Sequence, residues 1–225
     1  MIELRNVSFS YKNNKIIFNN ISTNFEYGKF YALVGESGAG KTTFLSLLAG
    51  MDESYKGDIL FDGDEIRKIG TTKYRRDNIS FITQKLNLFP HLNAIDNIRI
   101  AVNACGLKSN LEEVSKVLAE YGINKEKAIR KVSTLSGGEQ QRVALVTAIC
   151  RKSRIILADE PTENLDGANV EIVGSSLQRM AESGRCVIMA THNLHLLNVC
   201  DVVYRINTES KVIEKIFDQE SWYQV

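Results

Sequence analysis

Residues 35 to 43 read Gly-Glu-Ser-Gly-Ala-Gly-Lys-Thr-Thr, a spacing that can hold phosphate. Gly35, Gly38 and Gly40 have no side chains, so the backbone there can take positive φ and turn several N–H groups toward one anion. Glu36, Ser37 and Ala39 complete the loop. The apolar run 30–34 precedes it and the run 44–49 follows, so a strand feeds a loop that opens a helix near Lys41. An anion in the loop lies at the positive end of that helix. Only in this strand-to-helix context does G-x-x-x-x-G-K-[ST] mean a nucleoside-triphosphate site. It assigns Lys41 to the β- and γ-phosphates, the Thr42 hydroxyl to Mg²⁺ and Thr43 to the α-phosphate.

A second group is acidic. Arg154-Ile155-Ile156-Leu157-Ala158-Asp159-Glu160-Pro161 is an apolar strand ending in two carboxylates. Open α/β sheets bind ligands at the carboxyl ends of their strands, which puts Asp159 in place to hold Mg²⁺ and Glu160 to polarise an attacking water. Helix capping is the plainer use of such a pair. A third group, Leu135-Ser136-Gly137-Gly138-Glu139-Gln140-Gln141-Arg142, sets small residues at the start of another helix, again an anion site. Two phosphate-binding helix ends with one lysine loop are explained if two copies of the chain face each other.

The elements that must position these groups can be read around them. Residues 2–9 alternate as a β-strand, and a polar turn at 12–15 leads to further β structure, so an antiparallel layer precedes the phosphate-loop strand. Residues 57–63 form a short strand and turn, and 79–83 another strand. From about 92 to 150 the pattern is helical, with Leu111, Val114, Val117, Leu118 and Tyr121 at helix spacing. Buried-strand runs at 155–158 and 186–190 flank a helix over 169–181, the order of a parallel α/β sheet. The 225 residues make one domain, 1–225, with a helical subdomain at approximately 92–150.

Composition narrows the classes. Apolar content of 44% and charged content of 24% are those of an ordinary globular chain. No apolar run approaches the ~20 residues needed to cross a bilayer, and the N-terminus does not resemble a secretory signal. A cytosolic location is expected. The 28 basic residues are scattered among 27 acidic ones, which disfavours nucleic acid as the partner. Cys105, Cys150, Cys186 and Cys200 form no C-x-x-C pair and read as reduced, buried or half-buried thiols.

In this order and spacing, the phosphate loop, the Leu-Ser-Gly-Gly-Glu-Gln string and the Leu-Ala-Asp-Glu-Pro strand end resemble the ATP-binding subunit of ATP-binding cassette (ABC) transporters over nearly the whole chain. The resemblance implies an α/β fold with a P-loop NTPase core and parallel sheet, an N-terminal antiparallel β layer and a helical insertion. It implies ATP and Mg²⁺ as cofactors and ATP hydrolysis as the activity. It also implies a homodimer in which Ser136, Gly137, Gly138 and Glu139 of one copy meet the γ-phosphate held by the other, with Asp166 on the loop crossing the interface. Single residues acquire positions in the pattern. Tyr11, on its own a strand or core tyrosine, matches the aromatic that stacks on adenine. Gln84, on its own a surface glutamine, matches the one that approaches Mg²⁺ and the attacking water. His192 matches the switch histidine beside Glu160 and the γ-phosphate. Glu163 departs from the small residue common at its position. The guanine-reading Asn-Lys-x-Asp is lacking, since the nearest string, Asn124-Lys125-Glu126-Lys127, ends in lysine.

With no membrane segment of its own, such a subunit implies an integral membrane permease, docking near residues 84–98 and holding the chain on the inner face of the membrane. That stretch resembles the Gln-x-x-Asn-Leu-x-Pro-x-Leu-x-x-x-x-Asn pattern of cassettes for lipoprotein release, macrolide efflux or antimicrobial-peptide export. Rival readings are the ATPase of a small-solute importer and a non-transport cassette, such as one associated with cell division. Residues 206–213 lack the Asp-Gly turn of many relatives, which implies an altered hairpin.

Overall fold

A computed structural model describes residues 1–11 and 15–222 of the chain; residues 12–14 of the expected polar turn lie outside the described residues. Two sheets form the architecture. The first is antiparallel, with β1 (Ile2–Ser10) between β2 (Ile16–Phe25) and β4 (Lys56–Phe61), and β5 (Asp64–Glu65) at the edge of β4. The inward alternation of β1 skips from Ile2 and Leu4 to Val7 and Phe9. Asn6, at φ 50°, absorbs the extra residue, and its N–H goes to the Ser22 hydroxyl instead of the ladder. Opposite this bulge Gly57 has φ 84°, and a Cβ there would lie 2.4 Å from the Asn6 carbonyl oxygen, so only glycine fits.

The second sheet runs β10-β9-β3-β8-β7-β6. Its members are β3 (Phe30–Val34), β6 (Ile79–Ile82), β7 (Ile155–Asp159), β8 (Cys186–Ala190), β9 (Val202–Ile206) and β10 (Ile213–Asp218). β3, β6, β7, β8 and β9 are parallel, and β10 joins antiparallel to β9, so the sheet is mixed at its edge where the parallel core was expected. Asn207 replaces the absent Asp-Gly in that hairpin: its side-chain oxygen accepts from the N–H groups of Glu209 at 3.0 Å and Ser210 at 3.1 Å. Both faces of the sheet are covered, so β7 and β8 are buried at every residue and read as continuous apolar runs.

Helix α1 (Lys41–Leu48) lies between the two sheets. Phe44, Leu45, Leu47 and Leu48 are all fully buried, because the helix is covered from both sides. α2 (Ile66–Ile69) and α3 (Thr71–Asn78) follow β5. Sequence periodicity does not show α3, since its polar run TTKYRRDN buries one aromatic and is otherwise held by polar contacts of Thr71 and Arg75. Tyr74 is fully buried and donates its hydroxyl to the Leu48 carbonyl at 3.0 Å.

Between β6 and β7 stand α4 (Ala94–Asn103), α5 (Leu111–Glu120), α6 (Lys125–Ala128) and α7 (Gly137–Cys150). Side-chain caps start them: Asn93, Asn110, Asn124 and Ser136 each accept from a first-turn N–H. Asn124 is thus occupied in beginning α6. In α5, Val114 and Leu118 point inward while Leu111 at its first position is exposed. α7 is buried on two sides: Leu145 and Ala148 pack on the parallel sheet, Val143 and Val146 on α4 and α5. α8 (Gly167–Glu182) packs beside it on the sheet, and α9 (Gln219–Trp222) follows β10.

Candidate nucleotide site

At the carboxyl end of β3 the chain turns through residues 35–40 into α1. Gly38 and Gly40 have φ of 78° and 102°, as phosphate-cradling backbone requires. Gly35 does not take positive φ, contrary to the expectation. It is needed for closeness, since a Cβ there would lie 3.2 Å from the Ala39 Cβ and 3.4 Å from the Ile206 carbonyl. Glu36 and Ser37 form the outer part of the loop, and the Glu36 carbonyl accepts from the Ala39 N–H at 3.1 Å. No side chain caps α1 and no acid sits in its first turn, so its free N–H groups and positive end face the loop. The Lys41 ammonium donates to the Gly35 carbonyl at 3.0 Å and lies 3.6 Å from Glu160 Oε1.

β7 brings its acids to the same edge, because Asp159 is paired in register with Ala190 of β8. Asp159 is only 8% exposed and its Oδ1 has no hydrogen-bond partner. Burial pushes its carboxyl above the ordinary range, opposed by a hydrogen bond from the Thr42 side chain. An orphaned, buried carboxylate oxygen beside a threonine hydroxyl fits a cation. Among the described residues no three His, Cys, Asp or Glu side chains converge as a metal cage. That suits Mg²⁺, which is usually held by one or two carboxylates together with phosphate oxygens and water. Glu160 has φ 47°, a left-handed backbone rare for glutamate, locked by its N–H to the Ala190 carbonyl at 2.9 Å. The turn points its carboxylate at Lys41 and His192.

Tyr11, Lys41, Thr42, Gln84, Glu160 and His192 line one cavity of about 580 Å³. Gly35, Ser37, Gly38, Gly40 and Thr43 complete its phosphate end. Lys15 and Ile17, which motif reading passes over, line it as well, together with Glu163. Tyr11 is half exposed, its hydroxyl 2.5 Å from the Thr43 hydroxyl, so the ring is tied to the start of α1. The cavity is therefore polar at the loop and aromatic at its mouth.

The Ser136–Glu139 segment lies apart from this cavity. Ser136 caps α7, and Glu139 completes a capping box by accepting from the Ser136 N–H at 2.8 Å. Lys127, 2.8 Å away, and the Ser136 amide hold the Glu139 carboxyl down at about 2. No side-chain acceptor takes the amides of Gly137 and Gly138 among the described residues. Asp166 caps α8, accepting from the Asn169 N–H at 2.9 Å. Asn169, which no motif singles out, joins the two groups: its side chain donates to Asp166, accepts from Arg142 and would collide with any Cβ at Gly138. Each chain thus carries a lysine loop in a cavity and a second helix start that does not line that cavity.

A phosphate loop on a parallel strand, with an acid-ended strand of the same sheet one strand removed from it, defines a nucleoside-triphosphate-hydrolysing α/β protein. Comparison with known proteins narrows this. The family model described as ABC transporter matches residues 18–163. An ABC transporter ATP-binding protein of Bacillus subtilis, YclH, is 39% identical over 96% of this chain and 97% of its own length. The lipoprotein-releasing system ATP-binding protein LolD of Hyphomonas neptunium is 36% identical over 84% of this chain and 85% of its own. Two solved structures of the ABC cassette MJ0796 superpose with TM-scores of 0.85, each covering 96% of this chain and 99% of the other. One is the dimer, at 28% identity, and the other a dimeric post-hydrolysis state bound to ADP and Pi, at 29%. The chain belongs to the ABC transporter ATP-binding family. It is an ATPase of that family.

Proposed function

We propose that this chain dimerises around two ATP molecules and drives a separate membrane permease that exports or extracts a peptide, a lipoprotein or a hydrophobic drug. The observation that carries the dimer is the separation of the two phosphate-binding helix starts. The lysine loop lines the chain's own cavity, whereas Ser136, Gly137, Gly138 and Asp166 are not among the residues that line it, which leaves them for the nucleotide of a second copy. Among the described residues no helix is long and apolar enough to cross a membrane, in keeping with a separate permease and a peripheral cytoplasmic position.

Each residue then has a task. Tyr11 stacks on the base; residues 35–43 hold the phosphates, with Lys41 at the β- and γ-groups. Thr42 and Asp159, with Gln84 beside them, would hold Mg²⁺, which would supply charge neutralisation of the phosphates. Glu160 accepts a proton from the attacking water, and His192 holds Glu160 and reaches the γ-phosphate. ATP favours the closed dimer only by binding it more tightly than the open one, and loss of phosphate reverses the shift.

Support for a permease contact near residues 84–98 comes from a groove of about 340 Å³ between β6, α3, α4 and α7. It is lined by Phe81, Leu86, Leu88, Ala101 and Ala148, with Arg75 at its side. Asn97 is buried and ties down the loop beside it, accepting from the Phe89 N–H at 2.6 Å and donating to the Asn93 carbonyl at 2.9 Å. The export direction is supported by the similarity to LolD. To test it, membranes holding tagged Glu160→Gln chain are solubilised with ATP and the co-purifying membrane protein is identified. A permease with few helices and a large extracytoplasmic domain is expected; an importer permease with a solute-binding protein overturns the export reading, and the absence of a membrane partner overturns both.

A further inference from the structure

Glu163 places a half-buried carboxylate on the wall of the nucleotide cavity beside Lys41, Thr42, Gln84 and Glu160. Its backbone is held by an N–H bond to the Glu160 carbonyl at 3.2 Å. Its carboxylate has no hydrogen-bond or ion-pair partner among the described residues. It is near enough to Asp159 to disfavour that group's charged form, adding to burial and to Glu160. Asp159 is more than nine-tenths buried with an unpartnered oxygen. The phosphate end therefore gathers three carboxylates, while Lys41 is already engaged by two carbonyls and Glu160. A metal-free triphosphate entering this cavity meets, besides the cations that line it, a further carboxylate of its own sign.

We propose that Glu163 biases admission of the nucleotide toward its divalent-cation complex: its carboxylate repels the metal-free triphosphate about twice as strongly as the metal-bound form, which is two charges less negative. The inference rests on the nucleotide-site reading above. Glu163 acts through space, as a specificity determinant for the charge state of the ligand, and does not itself hold the metal.

The test is ATP affinity by calorimetry at fixed ionic strength, once with Mg²⁺ and once with excess EDTA, on wild type, Glu163→Gln and Glu163→Asp. Glu163→Gln is expected to tighten metal-free binding about tenfold, the scale of one screened charge in a half-exposed site, and Mg²⁺–ATP binding, with half the ligand charge, only about threefold. Glu163→Asp, which keeps the charge, retains the wild-type ratio of the two Kd values. An unchanged ratio in Glu163→Gln, or equal shifts in both variants, overturns the proposal. Lys41→Ala is the control: weaker binding in both conditions upholds the nucleotide-site reading whatever Glu163 does, and wild-type binding by Lys41→Ala overturns that reading and the proposal with it.

Discussion

The imidazole Nδ1 of His192 lies 2.8 Å from Oε2 of Glu160, and the His192 backbone N–H donates to the same oxygen at 3.2 Å. One residue thus grips the carboxylate from both main chain and side chain. Oε1 is left on the Lys41 side, facing the cavity where a γ-phosphate and a water would stand. His192→Ala keeps the main-chain bond and loses the ring. Turnover is expected to fall about a hundredfold with ATP affinity within a few-fold of wild type, the range of a general-base arrangement losing its orienting partner. Steady-state hydrolysis paired with ATP titration checks this.

Glu160→Gln removes the proposed proton acceptor and keeps the shape. We expect hydrolysis to drop by at least about a hundredfold while ATP still binds. Phosphate release by purified protein at saturating ATP is the measurement, and wild-type turnover would remove Glu160 from the reaction.

Asp159 is held above its ordinary range chiefly by burial, so its charged form is disfavoured in the nucleotide-free fold. The cost appears as pH rises through the unfolded value of 3.8 to the raised folded one, and is fully present at pH 7. Asp159→Asn is therefore expected to raise the Tm of the nucleotide-free protein at neutral pH and to abolish the extra Tm gained when Mg²⁺ is added to ATP. A thermal melt with and without each ligand reads both effects.

Glu139 has the opposite sign. Lys127 and the Ser136 amide depress its carboxyl from 4.5 to about 2, so the stabilisation is complete above pH 4.5 and is lost as pH falls toward 2. Glu139→Gln breaks the charged half of the capping box. A loss of about 1 kcal/mol, roughly 2–4 °C in Tm, is expected at pH 7, shrinking as the pH approaches 2. Thermal melts of both proteins across that pH range check the sign.

Gly57→Ala forces a Cβ to within 2.4 Å of the Asn6 carbonyl at φ 84°. About 3 kcal/mol of destabilisation and a Tm lower by roughly 6–12 °C are expected, without a change in ATP affinity for the protein that remains folded.

How much of the molecule is legible in its amino-acid sequence depends on how local each cause is. The α/β core is legible because β7 and β8 are buried on both faces and therefore continuously apolar. The loop at 35–43 is legible because backbone and charge require glycine and lysine there within one short stretch. Two groups are hidden because their causes are distant in sequence. Asn169 owes its place to Gly138 and Arg142 on another helix, and Gly57 owes its glycine to a bulge at Asn6 on another strand. α3 is hidden because Tyr74 is the one large apolar side chain it buries, and its other anchors, Thr71 on Glu53 and Arg75 on the Gly50 carbonyl, are polar. At Gly35 the loop pattern suggests positive φ, whereas close approach is what requires glycine there.

The central claim is that two copies complete one another's sites around ATP. The most direct measurement is the solution mass of Glu160→Gln, by light scattering after size exclusion, with ATP, with ADP and without nucleotide. A dimer with ATP and a monomer in the other two conditions is the predicted result. A monomer under saturating ATP, or a dimer indifferent to nucleotide, would contradict it.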